Sequence, residues 1–234
     1  MAVRDDFAAG EVLQAADLND TFASKRDTTD GYVYKETVYF TSNGTFTKAT
    51  YPWLRAVRVK VQAGGGGGGG SGQAGATGGG GGGGCYSEKF VLAGDLSANE
   101  TVTIGAGGTG GAAGNNAGTA GGNSSFGSIV VCGGGGGGVP PTGSFVSDNG
   151  GDVVTAGDFT VGGQNGAVRT SGAANSGGGS SFLGFGAMTQ PTAGNSSGYT
   201  AVVYGGGGSG GRRDGTNQPG GNGSAGIVIV ELYA

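Results

Sequence analysis

Histidine is absent from this sequence, and charged residues make up only 12% of it, about half the usual share. Without histidine, a nucleophile–histidine–acid triad and most general-base schemes lack their central residue. Only two cysteines are present, so a zinc site has no ligand set. No glycine is followed by lysine, which excludes a phosphate-binding P-loop. We therefore expect a protein that is not an enzyme, with no catalytic residues, cofactor or metal.

Long apolar runs are missing as well. No stretch approaches the ~20 apolar residues of a transmembrane helix, and the N-terminus has no secretory hydrophobic region. The formal net charge is -4, which disfavours nucleic acid as a partner. Asp148, Asp152 and Asp158 lack the spacing of an EF-hand, so we interpret them as a solvated acidic loop rather than a calcium site. We expect a soluble product made in the cytoplasm, without membrane insertion.

Glycine is present in large excess, with 62 residues and unbroken runs at 64–70, 78–84, 133–138 and 205–208. Glycine loses more conformational freedom on folding than any other residue, so composition alone predicts a flexible linker. Short apolar blocks recur between the runs, however, and the chain closes with the strand-like block IVIV at 227–230. A linker needs no such blocks, which favours an ordered body.

Glycine runs can also form polyglycine II helices, which have three residues per turn and rise ~3.1 Å per residue. Such helices direct their backbone N–H and C=O groups outward. Side by side they can satisfy one another's hydrogen bonds, provided that no Cβ atom keeps them apart. Glycine at every third position of 105–114 would leave one such face bare. The alternative is that the runs are loops joining the strands of an ordinary sandwich.

The N-terminal region predicts a short helix over residues 17–25. Asp17 is a suitable N-cap, and Leu18 and Phe22 share one face at a spacing of four residues. A helix of this length is unstable alone, so its apolar stripe, which Leu13 extends, must pack on another surface. Leu13, Leu18 and Phe22 are therefore the candidate residues for docking on a larger assembly.

Apolar residues alternate with a period of two from Tyr32 onward, which predicts strands. Residues 32–40 and 45–47 are expected to form a β-hairpin around the turn Ser42-Asn43-Gly44. Residues 55–61 alternate strictly, with three valines on one face and basic residues on the other. Further strands are predicted at 88–92, 100–104, 128–132, 200–204 and 227–232.

We therefore predict a mainly β protein with a short N-terminal helix, β-sandwich-like strands, and a glycine-rich body of packed polyglycine II helices and loops. Its expected organisation is an anchoring segment at 1–30, a hairpin and strand at 31–63, and a glycine-rich domain at 64–234 that strand 227–232 closes. Cys85 and Cys132 each adjoin a glycine run. They either form a disulfide or remain buried thiols, and the second alternative fits cytosolic folding better.

Aromatic residues between the glycine runs lie among serine, threonine, asparagine and glycine, a composition typical of binding loops. The alternative for the phenylalanines is that they form the core, whereas Tyr199, Arg212 and Arg213 favour the surface. The candidate receptor-binding residues are Phe145, Phe159, Phe182, Phe185, Tyr199, Arg212 and Arg213.

Several sequence blocks occur in a characteristic order. They are 45–47 (TFT), 57–61 (VRVKV) leading into poly-Gly, 84–89 (GCYSEK), 101–108 (TVTIGAGG), 122–127 (GNSSFG) and 226–231 (GIVIVE). This order resembles the glycine-rich domain of bacteriophage tail fibre and tail-tip proteins, over about residues 40–234. The blocks 4–7 (RDDF), 10–13 (GEVL) and 16–19 (ADLN) resemble the N-terminal segment of phage minor tail proteins.

The resemblance implies a virion structural protein, a homotrimer whose N-terminus docks on other tail proteins while its glycine-rich end faces the host. In adhesins of this kind, stacked polyglycine helices carry loops that contact the receptor, a glycan or a surface protein. The two cysteines depart from the commoner pattern, and the short chain favours a compact tip or decoration protein over a long shaft. One alternative is a decoration or connector protein that binds only other virion proteins. An ice-binding protein ranks last, because its regular threonine rows are not found.

Overall fold

The computed structural model describes residues 31–141, 150–151, 153–155, 157–167, 176–189 and 193–234. The predicted helix, with Leu13, Leu18 and Phe22, lies outside the described residues, and so does Phe145. Residues 34–234 belong to one compact unit, and the fold of that unit is given below.

The described residues are mainly β, as predicted. They contain the strands β1 (Tyr34–Phe40), β2 (Gly44–Thr47), β3 (Ala56–Gln62), β4 (Ala76–Thr77), β5 (Tyr86–Leu92), β6 (Asn99–Thr103), β7 (Ser124–Phe126), β8 (Val130–Cys132), β9 (Val153–Thr155), β10 (Phe159–Val161), β11 (Arg212–Arg213) and β12 (Ile227–Tyr233). Short 3-10 turns occupy Lys48–Thr50 and Ala93–Asp95.

Two antiparallel sheets face each other as a sandwich. The first has the strand order β1-β12-β3-β5-β10, and the second has the order β2-β6-β7-β8-β9. Strand β3 contacts both β7 and β8 across the interface, and β12 contacts β7. The short strands β4 and β11 pair separately with each other.

The core of the sandwich follows from the alternation in β3. Val57, Val59 and Val61 are buried, whereas the basic residues between them face outward, as the sequence predicts. Phe46 and Phe126 cover these valines from the second sheet, with their ring centroids 5.6 Å apart. Each such side chain contributes about 1.5–3 kcal/mol through burial, so the sandwich is the hydrophobic core of the protein.

The predicted hairpin between residues 32–40 and 45–47 is wrong. Strand β1 pairs with β12, and β2 pairs with β6, so the intervening turn carries the chain from one sheet to the other. The side-chain oxygen of Asn43 accepts the Ile104 N–H at 2.8 Å, which fixes this corner. A period-two pattern specifies a strand but not its partner, and the apolar β12 offers β1 the longer pairing.

Beyond one end of the sandwich lies a bundle of polyglycine II helices. Strands β3, β6 and β8 each run into a glycine-rich segment there, and β5 and β12 each follow one. Gln62, fully buried at this junction, donates through Nε2 to the carbonyls of Gly84 and Cys85 at 2.9 and 3.0 Å. The sandwich therefore fixes the starting points of the helices.

The run 64–70 lies at the centre of this bundle. Successive N–H groups, from Gly64 to Ser71, donate in rotation to the segments 116–122, 218–224 and 79–82, at 2.8–3.1 Å. Every third residue therefore donates its hydrogen bond to the same neighbouring segment, which is the repeat of a polyglycine II helix. These three neighbours run antiparallel to the central helix.

The carbonyl groups of the same run accept hydrogen bonds in the same rotation. Their donors lie in three further segments, 133–138, 105–111 and 205–211, at 2.7–2.9 Å, and these run parallel to it. Three donor-side and three acceptor-side neighbours enclose the central helix completely. The glycine runs are therefore ordered polyglycine II helices, and the alternative of loops joining an ordinary sandwich is excluded for them.

This packing depends on the absence of side chains. A Cβ atom placed on Gly66 would lie within 3.0 Å of the carbonyl group of Gly136, and one on Gly68 would approach the carbonyl of Ser209 as closely. Both obstacles are backbone atoms, which cannot rotate away. Only glycine permits these helices to share their hydrogen bonds.

Both cysteines are buried, and neither forms a disulfide. Contact with the Cys85 thiol, together with burial, raises the pKa of Cys132, and the Cys132 thiol donates to the carbonyl of Val61 at 3.4 Å. Both cysteines are therefore buried thiols at the junction, which is the second of the alternatives considered from the sequence.

The outer face of the first sheet carries an ion pair on neighbouring strands. Lys60 Nζ lies 2.5 Å from Glu231 Oε1, and the Tyr233 hydroxyl donates to Glu231 Oε2 at 3.0 Å. Partial burial alone would raise the pKa of Glu231, but these hydrogen bonds outweigh it and lower the pKa. A lowered carboxylate pKa stabilises the fold at neutral pH, and this contribution is lost as the pH falls through the folded-state pKa.

We expect Glu231→Gln to lower the free energy of unfolding at pH 7 by about 1 kcal/mol, because the ion pair and its hydrogen bonds are weakened. Denaturant unfolding at a series of pH values checks this, and the difference from wild type should shrink below about pH 4. The exposed Asp95→Asn is the control, with no effect expected. A difference that stays constant down to pH 3 would contradict the assignment.

Candidate functional site

Two outer segments of the bundle, 184–187 and 196–201, carry Phe185 and Tyr199. Backbone hydrogen bonds attach both segments to the run 205–211: Ala187 N–H donates to Gly207 at 2.8 Å, and Tyr199 C=O accepts from Ser209 at 3.0 Å. The Ser209 hydroxyl also accepts the Tyr199 N–H at 2.7 Å. The bundle therefore fixes the backbone beneath both aromatic side chains.

Between these segments lies an apolar groove of about 430 Å³. Its lining residues are Phe185, Gly186, Ala187, Met188, Tyr199, Thr200, Val202 and Val203. Phe185 and Val202 are 83% and 92% exposed, and Met188 is similarly open to solvent. Large apolar side chains this exposed on a single folded chain are typical of an interaction surface.

None of the residues that line the groove is charged. Aromatic side chains supply contact area at low entropy cost, and the Thr200 hydroxyl and nearby backbone groups supply polar contacts. The groove can therefore bind the apolar face of a sugar ring or an apolar side chain. Its lining contains no carboxylate, lysine or cysteine side chain.

The sequence prediction missed Val202 and Val203 as groove residues, because residues 200–204 have the composition of a strand. That strand prediction is wrong: the segment ends an outer helix and turns back at Val203, whose carbonyl accepts the Gly206 N–H at 3.0 Å. Gly205, two residues after Val203, has φ +74°, which favours glycine at this turn. Val202 is exposed and Val203 is half-buried. Two consecutive valines do not follow the apolar–polar alternation of a half-exposed strand, and that was the available signal.

Phe159 and Phe182 belong to a different cluster. Phe182 stacks on Tyr86 with ring centroids 4.3 Å apart, and Phe159 meets Phe182 edge-on at 5.7 Å. Tyr86 is buried and donates its hydroxyl to Glu88 at 2.8 Å; burial and this hydrogen bond raise its pKa. Both phenylalanines are about half exposed, so they pack beside the sandwich and still present a surface.

Arg212 and Arg213 form β11, which pairs with β4. Arg213 donates from Nη1 to the Gly72 carbonyl. Arg212 is only 5% exposed, which differs from its expected surface position. Pairing on two sides, with Thr77 and Ser196, draws its backbone into the bundle and its side chain with it.

The candidate residues therefore fall into three places: the groove with Phe185 and Tyr199, the cluster with Phe159 and Phe182, and the arginine pair. Within the described ranges, no group of three metal-ligating side chains occurs. Asp158 instead accepts the Phe90 N–H at 2.8 Å, while Asp148 and Asp152 lie outside the described residues. Among the same residues, no helix has the length and apolarity needed to cross a membrane.

The structure is a β-sandwich whose strands continue into a polyglycine II bundle, with an aromatic groove on the bundle's surface. This is the architecture of a glycine-scaffolded protein. The family model described as "Glycine-rich domain" matches residues 41–233, and the chain belongs to that family. No curated protein matches the chain.

Proposed function

We propose that this chain is a bacteriophage virion structural protein, a tail fibre or tail-tip protein whose glycine-rich domain contacts the host cell surface during adsorption. The order of the sequence blocks that resembles phage tail proteins supports the virion assignment. In this proposal the N-terminal segment docks on other tail proteins, three copies assemble together, and the chain acts in the virion tail after synthesis in the host cytoplasm.

The observation that carries the proposal is the groove around Phe185 and Tyr199. Its aromatic and aliphatic side chains are exposed, while the backbone beneath them is fixed by the central polyglycine helices. A rigid backbone lowers the entropy cost of binding, because little has to be ordered when the partner arrives. Exposed aromatics on a rigid frame suit a recognition surface.

We expect Phe185→Ala combined with Tyr199→Ala to weaken binding of the purified chain to host cells by about 30-fold or more. Aromatic anchors of this kind contribute about 2 kcal/mol or more to binding. The measurement is binding of fluorescently labelled chain to cells that the parent phage infects, together with competition against phage adsorption.

Tyr39→Ala is the matched control, because Tyr39 is an exposed aromatic residue on β1 of the sandwich. It should leave binding unchanged. If wild-type chain binds no cells and does not compete with the phage, the adhesin proposal fails. Binding of the same chain to virions that lack it, without cell binding, would favour the decoration or connector protein.

A further inference from the structure

Arg212 is an unusual residue in the bundle because a charged side chain is packed where the neighbours are nearly bare backbone. Its N–H donates to Ser196 and its carbonyl accepts from Ser196, at 2.8 and 2.9 Å. On its other side β11 pairs with β4, where Arg212 lies opposite the buried Thr77. The backbone position of Arg212 is therefore fixed from two directions.

The guanidinium group of Arg212 has donors that the protein does not use. Nε and Nη1 are buried without a hydrogen-bond partner, and Nε of Arg213 is in the same condition. No carboxylate of the described residues forms an ion pair with either arginine. The nearest acid in sequence, Asp214, accepts the Gly194 N–H at 3.1 Å instead.

Buried donors without acceptors are unfavourable, and a buried charge without a counter-charge is more so. Such groups are retained in natural proteins where a water, an ion or a ligand completes the hydrogen bonds. A guanidinium matches carboxylate and phosphate groups, because its N–H donors form charge-assisted hydrogen bonds with their oxygens. The missing partner of Arg212 therefore has the chemistry of an oxyanion.

The arginine pair is also close to the groove along the same outer segment. Ser196, which pairs with Arg212, precedes Tyr199 by three residues, or about 9 Å at the rise of a polyglycine II helix. This separation is about the length of two sugar rings. A disaccharide is therefore long enough to span the backbone separation between the two places.

We propose that Arg212 and Arg213 bind the acidic group, carboxylate or phosphate, of a cell-surface polysaccharide whose neighbouring sugar occupies the groove. This inference rests on the proposed function and specifies the class of its ligand. It also distinguishes Arg212 from a structural residue. Replacing an unpaired buried charge by an apolar group of similar size leaves stability unchanged or raises it, whereas replacing a paired one lowers it.

The test is an NMR titration of the full chain with glucuronate, glucose 6-phosphate and glucose at constant ionic strength. We expect one or both acidic sugars to shift the resonances around Arg212 and Tyr199, and glucose to have much less effect. A response to glucuronate alone identifies a carboxylate ligand, and a response to glucose 6-phosphate alone identifies a phosphate. Arg212→Met should lower the affinity about 10- to 100-fold without lowering Tm.

The exposed Lys35→Met is the control for a general loss of positive charge, and it should bind like wild type. The inference is overturned if acidic sugars bind no better than glucose, if Arg212→Met binds them normally, or if that variant loses Tm by several degrees. Cell binding separates the two proposals: if groove variants lose it and Arg212→Met keeps it, only the anion site fails. If wild type binds acidic sugars but no cells, the proposed function fails instead.

Discussion

Gly66→Ala is expected to prevent the polyglycine bundle from forming, with a loss of about 4 kcal/mol or more in the free energy of unfolding. Overpacking in ordinary cores costs typically 1–3 kcal/mol, because neighbouring side chains adjust. At Gly66 the added methyl group meets the backbone of Gly136, which is itself held by neighbouring helices. The helix cannot move aside without breaking hydrogen bonds on its other faces, so the loss falls in the exceptional range.

Gly94→Ala is the matched control. Gly94 lies in an exposed 3-10 turn of the sandwich, and a Cβ atom there meets no other atom within 4 Å. The variant should be as stable as wild type, or slightly more stable because alanine restricts the unfolded chain. Denaturant unfolding of both variants is the measurement. Equal stability of Gly66→Ala and wild type would contradict the close-packed bundle.

The sequence predicts the bundle better than it predicts the sheets. Packed polyglycine II helices are the arrangement in which glycine runs satisfy one another's backbone hydrogen bonds. The apolar blocks 57–61 and 227–230 indicate the strands that adjoin these runs. Strand pairing is different, because β1 and β2 have the pattern of a hairpin and yet join separate sheets. The choice of partner depends on contacts far apart in sequence, which local turn chemistry does not encode.

The candidate site could be predicted only in part. The sequence names Phe185 and Tyr199 as candidate receptor-binding residues, with the core as the alternative for Phe185, but their meeting in one groove depends on which outer helices are neighbours. Hydrogen bonding to the shared run 205–211 determines that arrangement. Because consecutive glycines are identical, the sequence does not indicate how an outer segment is aligned along such a run. Arg212 was misplaced for a related reason: its burial follows from pairing with Thr77 and Ser196, not from its own polarity.

The bundle contains almost no apolar side chains of its own, which bears on its stability. A backbone hydrogen bond contributes a net ~0.5–1.5 kcal/mol, and ordering one residue costs about 1–2 kcal/mol, more for glycine. These quantities nearly cancel, so the bundle is marginal by itself. The sandwich must therefore supply the remaining free energy of folding. It does so by holding the ends of the helices in register through β3, β6, β8 and β12.

Phe126→Ala is therefore expected to destabilise the bundle as well as the sandwich, although Phe126 lies wholly in the core of the sandwich. Removing a fully buried phenylalanine costs about 3–5 kcal/mol. Hydrogen exchange is the measurement, with the amides of Gly66 and Gly67 reporting on the bundle, since they donate to Gly82 and Thr119. Their protection should fall by the same free energy as that of the strands.

Phe185→Ala makes the same chemical change at a side chain that is 83% exposed, and it should alter stability by no more than about 0.5 kcal/mol. The same measurement on the double variant Phe185→Ala with Tyr199→Ala establishes that the protein used for cell binding remains folded. If Phe126→Ala lowers the protection of the strands while the glycine amides keep theirs, the bundle is stable independently of the sandwich. Equal losses would mean that the hydrophobic core holds both parts as one cooperative unit, and that the groove owes its rigidity to the core of the sandwich.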